Sequence, residues 1–156
     1  MWIPALAGLA PSECLSSGTL CLCGEPLTGQ NRIRSSSLMY SAELLDHFEH
    51  PRNSGELPDA SAQVRVENPA CGDILELAVK IDSGCIAEIR FRAKGCVPAM
   101  ACASAITELT NGKSVADARA IDKADVIRAV GGLPPASGHA AQLAVDALRA
   151  VLKITS

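Results

Sequence analysis

Four residues of this 156-residue chain, Cys71, Asp73, Cys96 and His139, offer a thiolate, a carboxylate, a second thiolate and an imidazole. That is enough for one tetrahedral metal centre. They sit in three short segments: Pro69-Ala70-Cys71-Gly72-Asp73, Lys94-Gly95-Cys96, and Leu133-Pro134-Pro135 followed by His139. The set spans 69 residues, so only the fold can assemble it. Taken singly, each has an ordinary explanation, since a buried cysteine is usually a small core hydrophobe. Taken together, with glycine beside both thiols, they point to a metal or iron–sulfur site.

Local chemistry supports the set. Cys71 and Asp73 lie two apart at a strand entrance, so both side chains point to one side. Gly72 between them lets the backbone approach a bound ion closely. Cys96 precedes a helix beginning near Pro98, where the field of the helix N-terminus should lower its thiol pKa. His139 falls in the first turn of the last helix, where the same field favours the neutral, ligating imidazole.

Other candidates read as structural. Cys85 and Cys102 are expected in the core. Cys102 follows Cys96 by roughly 240° and about 9 Å along a helix, so it reaches the site only if the first turn is irregular. His47 and His50 end the first helix, where solvated capping is expected. No general base stands beside the ligands, which argues against a hydrolytic zinc enzyme.

These donors hang on a strand block followed by a helix block. Ser41 is placed to N-cap a helix bearing Leu44, Leu45 and Phe48, which ends before Pro51. Gln63–Glu67 alternates as a strand. Asp73–Ile81 places Leu75, Leu77, Val79 and Ile81 on one face. After the turn Asp82-Ser83-Gly84, the run to Ala93 sets Ala87, Ile89 and Phe91 inward. Helices are expected over Met100–Leu109 and Ala124–Val130. A last helix is N-capped by Ser137 and runs to Leu152 with Ala140, Ala144, Leu148 and Val151 in a stripe. The order predicts an α+β fold, a small antiparallel sheet of about three strands packed against helices.

Bulk properties exclude several functions. The net charge of −3 argues against a nucleic-acid surface, as do only four aromatic residues. No apolar run approaches a membrane span. Seven cysteines, an odd count, in a chain this long fit reduced thiols in the cytoplasm better than a stapled secreted domain. Residues 1–38 lack a sustained period and hold Cys14, Cys21 and Cys23. They are expected to be a disordered extension, or to follow from a start assigned too far upstream, with the functional domain at 39–156.

The opening run Tyr40 to Asn53, Asn68-Pro69-Ala70-Cys71-Gly72-Asp73, Lys94-Gly95-Cys96 and Leu133-Pro134-Pro135 with His139 resemble the U-type iron–sulfur cluster scaffold family, IscU-like and the N-terminal domain of NifU. The likeness runs through nearly all of Met39–Leu152. It implies a non-enzymatic scaffold on which iron and sulfur from a cysteine desulfurase form a transient [2Fe-2S] cluster for recipient apoproteins. It also implies that Cys71, Asp73, Cys96 and His139 hold the iron. The family's third cysteine normally follows the histidine, and here Ala140 stands in that place. Mixed Cys/His ligation still suits a cluster, yet the same four donors could hold zinc. The alternative is therefore a zinc-binding sulfur-transfer accessory to a desulfurase. Sulfur acceptance falls to Cys96, Cys71 or Cys102. Ala136 and Ser137 replace the family's frequent Val and Lys, which argues against recognition by the dedicated chaperone.

Overall fold

A computed structural model describes residues 39–155. The expectations for residues 1–38 and their three cysteines lie outside the described residues. Helix α1, Ala42–Glu49, starts at Ser41, whose Oγ accepts the Leu44 N–H at 3.1 Å and donates to the Val130 carbonyl. One hydroxyl thus caps the helix and ties it to the rest of the domain.

Three strands follow, β1 (Ala62–Asn68), β2 (Asp73–Asp82) and β3 (Cys85–Lys94), in an antiparallel sheet of order β1-β2-β3. Ser83 and Gly84 both have positive φ, 51° and 80°, the two-residue turn that matches strand twist. Of the inward set, Leu75, Leu77, Val79, Ile89 and Phe91 are buried as expected, whereas Ile81, at the end of β2, is only half-buried. Ala87 is not buried. Lys80 faces Glu88 while Ile81 faces Ile86, so Ala87 is the extra residue of a bulge. It is exposed, and Ile86 takes the core position. The same end of the hairpin leaves Cys85 exposed rather than in the core.

Helix α2, Val97–Thr110, is buried on nearly every side. Cys102, Ala103 and Ile106 belong to the main core under the sheet, whereas Ala101 and Ala105 meet Leu44 and Val130 in a second, smaller cluster. Alanines at those positions let α1 approach closely. A six-residue helix α3, Val115–Ala120, capped by Ser114, had no counterpart in the sequence reading. Helix α4, Lys123–Ala129, stops at Gly131 and Gly132, both at positive φ. Gly131, at φ +69°, holds a left-handed conformation that favours glycine, and the exposed Glu43 side chain of α1 lies beside it. Helix α5, Gly138–Ile154, buries Ala140, Ala144, Leu148 and Val151. Ser137 holds its N-cap position without a side-chain cap bond, because Pro135–Ser137 forms a 3-10 turn instead.

His47 departs from expectation: it is buried, at 7% exposure, while His50 is exposed. Its Nδ1 lies 3.1 Å from both Ser104 Oγ and Arg52 Nη1. A guanidinium only donates, so Nδ1 accepts and the ring proton sits on Nε2, 3.9 Å from Glu108. Burial foremost, and the Arg52 charge next, push the His47 pKa below its usual value, while Glu108 and Asp46 oppose the shift. The unfolded chain therefore takes up this proton first as pH falls. Stability from this group is complete above the ordinary histidine pKa of about 6.5 and is lost as pH drops below it. Thermal unfolding midpoints followed downward from pH 7.5 should fall more steeply for the parent than for His47→Gln. Parallel profiles would contradict this assignment.

Candidate metal centre

Each donor sits where an element ends. After β1, the Asn68 carbonyl accepts the N–H of Cys71 at 3.3 Å and of Gly72 at 2.8 Å, and Asn68 Oδ1 accepts that of Ala70 at 3.0 Å. This turn presents Cys71 to solvent. Asp73 opens β2, Cys96 is the N-cap of α2, and His139 is the second residue of α5.

The structure brings all four predicted residues together. Cys71, Asp73 and His139 each offer one donor atom, and these atoms lie within 4.8 Å of one another. Cys96 joins through Asp73. Asp73 Oδ1 accepts the Cys96 N–H at 2.9 Å, and Oδ2 lies 3.3 Å from the Cys96 Sγ and 3.9 Å from His139 Nε2. The group lines an open cleft of about 520 Å³ with Tyr40, Lys94 and Ser137 at its walls. The sequence reading did not assign these three to the site; adjacency of Lys94 to Gly95-Cys96 and of Ser137 to His139 was the available signal.

Glycine matters at two places for different reasons. Gly72 has φ +69° with open space where a Cβ would stand, so it serves the turn and not the close approach expected of it. Gly95 is the close approach: a Cβ there would lie 2.3 Å from Asp73 Oδ1. Only a bare backbone lets the chain leaving β3 pass over that carboxylate.

Electrostatics correct a second expectation. The Cys96 thiol pKa is raised, not lowered. Burial is the largest cause and the Asp73 carboxylate adds to it, while the Ala99 N–H, the local expression of the helix N-terminus, pulls the other way without prevailing. Cys102 is fully buried in the core, and burial pushes its thiol up to about 12. It does not line the cleft, so it is the core residue first expected and a poor substitute thiol. Ala140, at 1% exposure, also faces the core.

The donor set suits a cation. Two sulfurs, an imidazole and a carboxylate 2% exposed are all electron-pair donors in one place. The Cys96 amide already satisfies one Asp73 oxygen, and a cation placed among the donors would pair with the other. Zinc and iron both accept such mixed sulfur, nitrogen and oxygen ligands.

Residues 39–154 match the model of the NifU-like N-terminal domain. The chain is 41% identical to iron–sulfur cluster assembly scaffold protein IscU 1 of Archaeoglobus fulgidus over 111 residues, 71% of this chain and 72% of that protein. It is 39% identical to scaffold protein IscU of Escherichia coli K12 over 119 residues, 74% of this chain and 92% of that one. The N-terminal NifU-like protein of Brucella abortus superposes with a TM-score of 0.63 at 17% identity, covering 74% of this chain and 93% of its own, which speaks to fold alone. The chain belongs to the NifU-like N-terminal domain family.

Proposed function

We propose that the chain is a scaffold on which an iron–sulfur cluster is assembled and from which it passes to apoproteins. The observation that carries this is the convergence of Cys71, Asp73, Cys96 and His139 in one open cleft. Its relatives in Archaeoglobus and Escherichia are named as scaffolds, so the zinc accessory is not the favoured reading.

The cluster is cargo, and the site is built to give it up. Two thiolates hold iron firmly, whereas a carboxylate and an imidazole are weaker, exchangeable partners. A [2Fe-2S] cluster fits four such donors. The chain's thiols differ in access: Cys71 is exposed, Cys96 half-buried with a raised pKa, Cys102 fully buried. Cys71 is thus the acceptor for sulfur from a cysteine desulfurase. Its thiolate attacks the outer sulfur of the donor persulfide. The donor's S–S bond breaks, its cysteine leaves as thiolate, and Cys71 carries the new persulfide with no net oxidation. Release of sulfide then requires two electrons from a separate reductant. Asp73 holds Cys96 in place through its amide.

Anaerobic reconstitution with iron, cysteine, a cysteine desulfurase and a thiol reductant such as dithiothreitol should give two irons and two sulfides per chain with a visible chromophore, both lost in Cys96→Ala. One tightly held zinc and no chromophore would contradict the scaffold. Because a methyl on Gly95 collides with Asp73, Gly95→Ala should cost about 1–3 kcal/mol of stability, as overpacking does. It should also weaken zinc binding, measured by competition with a chromogenic chelator. Parent-like affinity would mean that the Asp73 position is immaterial to the site.

A further inference from the structure

The two edges of the sheet differ. On the outer edge of β3, Phe91 exchanges backbone hydrogen bonds with Asn53 and Gly55, and Ile86 with Lys113 and Gly112. Among the described residues strand β1 pairs only with β2, in unbroken register over seven residues. Its alternate N–H and C=O groups that face away from β2 have no backbone partner among the described residues. Such an edge is a template for an added strand.

Beside it, a groove of about 240 Å³ lies between β1 and α5. Val66, Pro69 and Leu143 form its apolar part, Glu67 and Asp146 line it with carboxylates, and His139 belongs both to it and to the metal cleft. Asp146 accepts from Gln142 Nε2 at 2.9 Å, and neither carboxylate has a cationic partner among the described residues.

We propose that the β1 edge and this groove dock an extended segment of the recipient apoprotein, one bearing a lysine or arginine and its cysteine ligands. This rests on the scaffold reading. A recipient's ligand segment lacks the metal that would fold it, so it is free to add as a strand. Its cation meets Glu67 and Asp146. A strand continuing past Asn68 runs to the turn that carries Cys71, since the Gly72 N–H closes back on the Asn68 carbonyl. Docking here places the recipient's thiols at the mouth of the cleft.

The test uses a synthetic peptide of alternating Val and Thr, about twelve residues to span β1 and the turn at about 3.3 Å each, with one lysine and a terminal Cys-x-x-Cys. Amide hydrogen exchange is followed on the cluster-free chain. Exchange over residues 62–68 should slow about tenfold with saturating peptide, and the Glu67→Lys, Asp146→Lys double variant should lose that protection. The double variant should instead bind the peptide in which glutamate replaces lysine. Unchanged exchange over 62–68, or protection indifferent to both charge reversals, would overturn the proposal. So would sedimentation as a dimer with these amides already protected, which would give the edge to a second copy. In a second sample reconstituted with cluster, loading is read by absorption before peptide is added. A chain that takes no cluster overturns the scaffold function. A chain that loads but yields iron equally fast to both peptides overturns the docking site.

Discussion

The contact on which the site depends is the one between the buried Asp73 carboxylate and the amide of half-buried Cys96, 2.9 Å long. It joins the first residue of β2 to the N-cap of α2, so it fixes the two thiol-bearing segments relative to each other. A buried carboxylate is costly unless hydrogen-bonded, and here the exposed end of a helix supplies the donor. The bare backbone of Gly95 makes the approach possible. The second carboxylate oxygen remains directed at the Cys96 sulfur and toward His139. One side chain thus acts as both fastener and donor.

That arrangement explains how a site can be well ordered and still release what it holds. The scaffold beneath is rigid: α2 lies between the sheet and α1, with its alanines taking up both contacts. The donors themselves stand at element ends, around a cleft open to solvent. Rigidity in the framework and exposure at the rim are compatible because the loops between them are short and hydrogen-bonded, as in the turn from Asn68 to Gly72. Cys71 stands at the outside of this structure and Cys96 deeper within, so the two thiols have unequal access to anything arriving from solution.

Much of this was legible in the residues. The period-two runs of β2 and β3, the Ser41 cap and the stripe on α5 follow from local pattern, and the four donors follow from residue type. What was hidden depends on packing and pairing that local residue pattern does not mark. His47 is buried because Ser104, 57 residues away, and Arg52 receive it. Ala87 turns outward because the ladder slips at Lys80/Ile81, and no residue type marks that slip. Helix α3 is too short to show a period. The helix field at Cys96 was read correctly in sign, through the Ala99 amide, but burial outweighs it, and burial is not a local property.

The proposed scaffold holds its metal through Cys71, Asp73, Cys96 and His139 as one ligand set. X-ray absorption at the zinc edge of the chain loaded with a single zinc counts those ligands directly. Two sulfurs at about 2.3 Å and two nitrogen or oxygen neighbours at about 2.0–2.1 Å are expected, with one sulfur lost in Cys71→Ser and one in Cys96→Ser. Three or four sulfurs, or a count unmoved by either change, would contradict it.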